Sequence, residues 1–271
     1  MKKLFAIISL LLLSVQLAFA DASTPTPMDW QVDGLARTAI VYIPTDAKTK
    51  DSPVVFDFHG HGGTAKNSAR THDFQKQWPE AICVYMQGLP TKTKLDPDGK
   101  KPGWDYISID ESSRDVKFFD AVLATLKKDY KVDTNRIYCT GHSNGGVFTY
   151  VLWSARADVF AAMGPVAGVS FKPLKDFKPL PAIHVAGETD NIVSFAGQIK
   201  TMEGARKLNQ CDSIGKPWAT AGKLVGTIYP SETNTPFVSL IHPGGHQYPA
   251  ETAQMIVKFF KEHTKESNKK K

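Results

Sequence analysis

Residues 136–150 read RIYCTGHSNGGVFTY, and the fold class of the chain follows from this stretch. Residues 137–140 form a short apolar run typical of a buried strand, and residues 147–151 carry apolar side chains at helical spacing. Between them, residues 141–145 spell G-x-S-x-G, with glycines where a sharp turn leaves no room for a Cβ atom. The pattern predicts a strand, a tight turn and a helix, with the hydroxyl of Ser143 exposed at the helix N-terminus.

Apolar runs elsewhere in the chain predict further strands, and amphipathic stripes predict helices between them. The predicted strands are residues 37–43, 54–58, 82–86, 160–168, 183–186 and 237–241. The predicted helices are residues 67–77, 116–130 and 255–260, and Ser112 with Asp115 predicts a capping box before the second of them. This alternation predicts one α/β domain with a mostly parallel central sheet and helices on both faces.

The two ends of the chain are expected to lie outside the folded domain. Residues 1–20 carry two lysines, a short apolar run and a final Ala-Phe-Ala, which is the pattern of a cleaved signal peptide. Residues 21–35 are rich in Pro and Thr and predict an irregular segment, residues 36–262 the domain, and residues 263–271 a basic tail. We therefore expect an exported protein, secreted or periplasmic, without a membrane span after cleavage.

Charge and cysteine content limit the classes of partner. The formal net charge is +6, and part of the excess lies in the lysines of residues 265–271, a pattern that favours a solvated end and predicts no nucleic-acid partner. Cys83, Cys139 and Cys211 are an odd number for an exported chain. Buried thiols in two predicted strands, or one disulfide with one thiol left over, are both compatible with the sequence. We expect a monomer.

Asp190 and His246 follow the strands at 183–186 and 237–241. Because the carboxyl ends of parallel strands meet at one edge of a sheet, both side chains are expected near Ser143. The order Ser, Asp, His along the chain is that of the α/β-hydrolase triad. His246 would take the proton of Ser143 during attack, and Asp190 would orient the imidazole.

Each of these two positions has a rival close by in the sequence. Glu188 is an alternative acid, and His242 is an alternative base. His242 is closer to the body of its strand, which favours a structural role.

Residues 59–63 read HGHGG directly after a predicted strand. In the α/β-hydrolase fold, this loop and the residue after the nucleophile each donate one N–H to the oxyanion, which predicts His61 or Gly62 together with Asn144. The stretch also fits the dinucleotide pattern G-x-G-x-x-A, but no acid ends the next strand. His59 and His61 could pair on a metal, but no further ligand follows closely. We expect neither a metal nor a cofactor.

Residues 88–113 form a long segment with little periodicity, and such segments in compact domains usually have a function. The segment contains Trp104, whose ring is a candidate for stacking on a substrate ring. His142, beside Ser143, is the second candidate for substrate contact.

With these residues assembled, the chain resembles the secreted esterase family that contains polyhydroxybutyrate depolymerases, feruloyl esterases and acetylxylan esterases. The resemblance implies the triad Ser143, Asp190 and His246, with the Trp104 loop near the substrate. The implied activity is hydrolysis of feruloyl or acetyl esters of plant polysaccharide fragments through an acyl-enzyme. A polyhydroxyalkanoate oligomer esterase is the alternative, followed by a serine peptidase. The motifs that carry the resemblance lie at residues 59–63, 87–90, 103–104, 113–120, 132–138, 141–145 and 164–168.

The chain differs from some family members because it lacks their many cysteines and any added polymer-binding module. A second attached site usually helps an enzyme to bind an insoluble polymer. We therefore expect a small or soluble oligomeric ester as the substrate.

Overall fold

The computed structural model describes residues 24–108, 110 and 112–269. Within these residues the strands are β1 (Pro25–Val32), β2 (Leu35–Tyr42), β3 (Ser52–Phe58), β4 (Ile82–Met86), β5 (Leu89–Pro90), β6 (Pro102–Gly103), β7 (Val132–His142), β8 (Ala162–Val166), β9 (Ala182–Gly187), β10 (Lys216–Ala221), β11 (Leu224–Tyr229) and β12 (Phe237–His242). The helices are α1 (Ala65–Thr71), α2 (Phe74–Gln77), α3 (Arg114–Asp129), α4 (Asn144–Arg156), α5 (Phe195–Leu208), α6 (Thr252–Lys261) and α7 (Lys265–Lys269). None of the helices described is long and apolar enough to cross a bilayer.

Ten strands form one sheet in the order β1-β2-β4-β3-β7-β8-β9-β12-β11-β10. The strands from β4 to β12 in this order are parallel to one another. The pair β1-β2 and the pair β11-β10 extend the sheet with antiparallel pairings at its two edges. The predicted α/β fold with a mostly parallel central sheet is confirmed.

Helices cover both faces of the sheet, so the central strands are buried on both sides. All seven residues of β3 are buried, and their side chains alternate between two apolar cores. Phe56 and Phe58 pack in the core beneath α3, α4 and α5, whereas Val55 packs in the core beneath α1, α2 and α6. This explains why the strand reads as an unbroken apolar run, which is typical of parallel sheets.

The same alternation separates two of the cysteines. Cys83 pairs with Val55 and Cys139 pairs with Phe56, and the two thiols lie in opposite cores. Both thiols are free, as is that of Cys211, and burial raises the pKa of all three. The buried-thiol interpretation therefore holds for the two strand cysteines.

The prediction that residues 21–35 are irregular is wrong from Pro25 onward. β1 pairs with β2 through the two-residue turn Asp33-Gly34, which has φ values of 50° and 76°. Asp-Gly with both φ values positive is a favoured hairpin turn, so the signal was present in the sequence. The prolines of β1 are tolerated because it is an edge strand. The signal-peptide prediction for residues 1–20 lies outside the described residues.

Three other boundaries differ from the sequence-based expectations. The predicted helix at 67–77 is broken at Asp73, whose φ is 56°. The hairpin β10-β11 lies in residues 194–236, where no strand was predicted. The predicted tail begins inside the fold, because the Tyr138 hydroxyl donates to the carbonyl of buried His263 (2.7 Å) and Asn268 donates to the carbonyl of Ala161 (2.9 Å).

The capping box predicted for α3 is also wrong. Ser113 precedes the helix, but its hydroxyl makes no capping bond. Asp115 is instead fully buried and accepts hydrogen bonds from Arg37 (2.7 Å) and from the N–H of Asp105 (2.8 Å). The carboxylate therefore joins α3 to β2 and to the segment that carries Trp104.

Candidate active site

Ser143 lies in a strained turn between β7 and α4. Its φ and ψ are 57° and −119°, and its N–H donates to the carbonyl of Val166 (2.9 Å). A Cβ atom on Gly145 would lie 1.9 Å from the carbonyl oxygen of Phe58, and one on Gly141 would lie 2.6 Å from Gly145. The two glycines are needed because neighbouring backbone occupies the space of a side chain. Backbone strain of this kind costs about 1–3 kcal/mol and is concentrated at functional sites.

Ser143, His246 and Asp190 form a hydrogen-bonded chain, which we call the Ser–His–Asp chain. The Ser143 hydroxyl lies 2.7 Å from Nε2 of His246, and Nδ1 of His246 lies 2.8 Å from Oδ2 of Asp190. The other carboxylate oxygen of Asp190 accepts from the N–H groups of Ile192 (2.9 Å) and Val193 (3.0 Å). Since Asp190 only accepts, His246 donates from Nδ1, and its Nε2 is left to accept from the serine.

The two alternative residues, Glu188 and His242, lie outside the Ser–His–Asp chain. Glu188 is exposed to solvent. His242 is buried, which lowers its pKa, and its Nδ1 accepts from the N–H of Gly244 (3.2 Å). His242 therefore supports the turn that leads to His246 and does not contact Ser143.

Of the predicted oxyanion donors, Gly62 does not fit. Its N–H already donates to the carbonyl of Pro102 at 2.7 Å. The N–H groups of His61 and Asn144 have no acceptor among the described residues. Both residues lie close to Gly103, where a Cβ atom would be 2.6 Å from the His61 ring and 2.9 Å from the Asn144 side chain. The backbone donors that remain available are those of His61 and Asn144.

The two histidines of the HGHGG stretch have separate partners. Nε2 of His59 accepts from the N–H of Gly88 (2.9 Å), so its Nδ1 donates to the carbonyl of Gly60 (2.7 Å). Burial lowers the pKa of His59, which is consistent with this neutral tautomer. His61 instead lies 3.2 Å from the carboxylate of Asp96. Residues 24–108, 110 and 112–269 contain no cluster of His, Cys, Asp or Glu that could hold a metal ion.

Trp104 is completely buried, which contradicts the expectation that its ring stacks on a substrate. The indole packs against Phe58 and Phe148 (ring centroids 4.9 and 5.4 Å apart) and donates to the carbonyl of His59 (2.8 Å). The Asn144 side chain accepts from the N–H of Trp104 (2.6 Å) and donates to its carbonyl (3.0 Å). Trp104 therefore anchors its segment to the residue that follows Ser143.

His142 lies against His246, with ring centroids 5.1 Å apart. Burial, followed by the positive charge of protonated His246, lowers the pKa of His142 to about 3, so the ring is neutral at working pH. Its Nε2 and the hydroxyl of neighbouring Tyr248 are buried and have no partner among the described residues. Substrate contact by His142 stays a prediction.

A buried polar network behind Asp190 was missed at the sequence level. Gln198 donates to Oδ2 of Asp190 (3.0 Å) and to the carbonyl of Val193 (2.7 Å). Its carbonyl lies 3.1 Å from Nε2 of His184, whose Nδ1 lies 2.8 Å from the hydroxyl of Tyr150. Burial lowers the pKa of His184 to about 4, so the ring is neutral and donates to Gln198. No sequence pattern marks a glutamine in α5 as part of a site.

A cleft of about 750 Å³ adjoins the Ser–His–Asp chain. Val147, one helical turn beyond Ser143, and Val193 line it, as do the exposed side chains of Phe171 and Ile192. The ring of Phe171 stacks on Tyr106 with centroids 5.0 Å apart. The cleft therefore presents an apolar surface and an accessible aromatic ring next to the candidate nucleophile.

Comparisons with known proteins agree with this architecture. The sequence profile of the prolyl oligopeptidase family matches residues 104–206. A bifunctional acetylxylan esterase/xylanase from Neocallimastix patriciarum is 28% identical over 204 residues, which cover 74% of this chain but only 27% of that protein. Feruloyl esterase C from Emericella nidulans is 26% identical over 220 residues, 80% of this chain and 77% of the relative.

Solved structures share the fold at low sequence identity. An acetyl xylan esterase from Aspergillus awamori has a TM-score of 0.67 at 14% identity, over 87% of this chain and 99% of its own. The feruloyl esterase module from Clostridium thermocellum has a TM-score of 0.61 at 13% identity, over 88% of this chain and 87% of its own. The chain therefore has the α/β-hydrolase fold, and feruloyl and acetylxylan esterases are among the proteins to which it is similar.

Proposed function

We propose that this protein is an exported esterase that cleaves carboxylic esters through an acyl-Ser143 intermediate. The observation that carries the proposal is the Ser–His–Asp chain, in which a serine at a strained turn is hydrogen-bonded to an imidazole held by a buried carboxylate. The residue pattern of positions 1–20 supports export.

Each group has a defined part in the proposed reaction. His246 takes the proton of Ser143 as the serine oxygen attacks the ester carbonyl carbon, and Asp190 stabilises the resulting imidazolium. The N–H groups of His61 and Asn144 donate to the oxyanion of the tetrahedral intermediate. His246 then protonates the departing alcohol, which leaves the acyl-enzyme. Water attacks the acyl group by the same steps in reverse and releases the acid and free Ser143.

The favoured substrates are feruloyl or acetyl esters of plant polysaccharide fragments. The names of the relatives support this choice, and so does the aromatic surface of Phe171 beside the Ser–His–Asp chain. Aromatic rings at a cleft can stack on phenolic or sugar rings. Phe171, rather than the buried Trp104, is therefore the aromatic residue that we expect to stack on a substrate ring.

Two other substrate classes have some support. The apolar cleft also suits a short polyhydroxyalkanoate oligomer, which would be cleaved by the same mechanism. The matching prolyl oligopeptidase profile favours a peptidase, which would use the same serine chemistry on an amide. The esterase names of the more extensively aligned relatives favour the ester over the amide.

The test compares hydrolysis of methyl ferulate, 4-nitrophenyl acetate, a hydroxybutyrate trimer and a chromogenic peptide series by the purified protein without residues 1–20. We expect ester cleavage to fall by at least about 10⁴-fold in Ser143→Ala, because nucleophile removal in serine hydrolases has effects of this size. Ser267→Ala, which changes an exposed serine in α7, is the matched control.

A fluorophosphonate probe followed by peptide mapping identifies the reactive serine directly. Labelling of Ser143 in the wild type supports the mechanism. Retained ester hydrolysis in Ser143→Ala, with the label on another serine, would overturn it. Cleavage of the peptides in preference to every ester would assign the protein to the peptidases.

A further inference from the structure

The rim of the cleft beside Ser143 carries three lysines. Lys94 comes from the segment between β5 and β6, Lys172 from the loop after β8, and Lys200 from α5. These segments are far apart in sequence, and the fold brings the three lysines to one cleft. No Asp or Glu is among the described residues that line the cleft.

Within the part of the chain that the structure describes, no ion pair neutralises the three lysines of this rim. No carboxylate of the described residues lies within ion-pair distance of Lys94, Lys172 or Lys200. Lys172 donates to the hydroxyl of Ser154 (3.1 Å). The nearby Asp110 has a lowered pKa, mainly because it accepts hydrogen bonds from Ser112 and only to a small extent because of the charge of Lys172. Elsewhere lysines do pair, with Lys117–Asp33, Lys178–Asp158 and Lys258–Glu262 as examples.

The cleft also carries exposed apolar side chains beside the lysines. Phe171 and Ile192 are 60% and 55% exposed, and they are two of the few large apolar side chains that the fold leaves in contact with water. Lysines beside exposed apolar side chains in one cleft are complementary to a ligand that combines an apolar ring or chain with an anionic group. Ammonium groups attract a carboxylate strongly when other charges do not compensate them.

Two residues that line the cleft are close to Asp190 or to Ser143. Val193 lines it and donates to Asp190, and Val147 lines it one turn beyond Ser143. The cleft therefore begins one helical turn from Ser143 and one residue contact from Asp190, within reach of an extended substrate bound at Ser143.

We propose that this cleft binds a carboxylate-bearing portion of the substrate, so that the preferred esters are acidic ones. The apolar part of the substrate packs on Phe171 and Ile192, and its carboxylate is held by the lysine rim. This inference rests on the proposed function of Ser143 and specifies the chemical class of its substrate.

The experiment uses two pairs of esters that differ in charge. 4-Acetoxybenzoate and its methyl ester place the carboxylate on the alcohol side, whereas 4-nitrophenyl hemiglutarate and 4-nitrophenyl valerate place it on the acyl side. We expect kcat/KM to favour the acid in at least one pair by about fivefold or more, with a preference that weakens as salt is added.

The triple variant Lys94→Gln, Lys172→Gln, Lys200→Gln is expected to lose this preference, because the ratio of kcat/KM for the acid to that for its neutral partner falls toward one. The matched control, Lys127→Gln, Lys175→Gln, Lys207→Gln, removes the same charge from exposed positions that do not line the cleft. A preference retained in the first variant, or lost equally in both, would overturn the proposal.

A binding measurement distinguishes failure of this inference from failure of the proposed function. Ser143→Ala is titrated calorimetrically with 4-acetoxybenzoate and with its methyl ester, so that turnover is not needed. Tighter binding of the acid supports the cleft even if neither ester is hydrolysed by the wild type. Neutral esters that are cleaved without any preference for the acid in either pair would refute the cleft and leave the esterase assignment intact.

Discussion

Asp190 holds the candidate base through a full set of hydrogen bonds. One oxygen accepts from Ile192 and Val193, and the other accepts from His246 and Gln198. The Gln198 amide can present its donor side to Asp190 because His184 donates to the other side, and His184 is kept in that tautomer by the Tyr150 hydroxyl. A flipped amide would bring two acceptors together, so the network determines which face of Gln198 meets the carboxylate.

We predict that Gln198→Ala lowers kcat about tenfold or more, with a smaller change in KM, because a hydrogen bond to a charged group contributes ~1.5–3 kcal/mol. Gln198→Glu should raise the apparent pKa of the acid limb of the kcat/KM profile, since a second carboxylate favours protonated His246. Both effects are measured by steady-state kinetics across pH.

Gln75→Ala is the control for this pair of variants. Gln75 is also buried and hydrogen-bonded, but to Ala69, Asp73 and Tyr85, away from Ser143. The Gln75→Ala variant should have a lower free energy of unfolding than the wild type and an unchanged kcat. An unchanged kcat in Gln198→Ala, together with an unshifted acid limb in Gln198→Glu, would assign Gln198 to packing alone.

At the scale of elements, the turn between β7 and α4 depends on contact with the neighbouring strand β3. The carbonyl of Phe58, the last residue of β3, lies where a side chain at Gly145 would be. The turn therefore brings α4 close enough to β3 for the Asn144 side chain to hold the Trp104 segment.

Gly145→Ala is predicted to destabilise the protein by more than ~3 kcal/mol or to prevent folding, because the new Cβ meets backbone that cannot move aside. Gly197→Ala in α5 is the comparison, since its nearest neighbour is the Ser194 hydroxyl at 3.1 Å, and its effect should stay within ~1 kcal/mol. Urea unfolding and soluble yield measure both. Equal stabilities would show that the contact with β3 is not required.

The Arg37–Asp115 pair joins strand β2 to helix α3. Both side chains are inaccessible to water, and burial lowers the pKa of Arg37 in opposition to the attraction of Asp115. We expect Asp115→Ala to cost about 3–5 kcal/mol, because it leaves a buried charge without a partner. Arg37→Met with Asp115→Leu should recover much of this loss. Chemical denaturation of the wild type and the two variants is the measurement, and a loss below ~1 kcal/mol in Asp115→Ala would contradict the prediction.

At the scale of the whole molecule, the folded state keeps His142 and His184 neutral, because their surroundings disfavour the charged imidazole. His142 has a pKa lowered to about 3, and His184 one lowered to about 4, in each case mainly by burial. In the unfolded chain both titrate near ~6.5. Between these values the unfolded state binds more protons than the folded state, so stability falls as the pH falls.

We predict that these two histidines do not affect the melting temperature above pH ~6.5. Below that pH they should lower the melting temperature progressively, down to pH ~4. His184→Gln removes one of the titrating groups and should flatten the decline over that window. Calorimetry at constant ionic strength measures both curves. Parallel curves for the wild type and His184→Gln would show that burial of His184 does not contribute.

The order of elements could be predicted from the sequence because the signals are local. The apolar runs of β3, β4, β7 and β9 and the G-x-S-x-G turn each depend on neighbouring residues. Ser143, Asp190 and His246 could be named because each follows a predicted strand, and parallel strands share an edge. The structure joins them by hydrogen bonds, and their catalytic role is the proposal tested above.

The sequence by itself determined the α/β class, the turn at Ser143 and the candidates for nucleophile, acid and base. Only the tertiary structure decided that the N–H of Gly62 is occupied, that Trp104 is an anchor, that Gln198 supports Asp190 and that three distant lysines share one cleft. The physical reason is the sequence separation of the residues that interact. Periodicity, capping and turns arise between residues a few positions apart, whereas burial, hydrogen-bond partners and shared clefts depend on contacts between residues tens of positions apart.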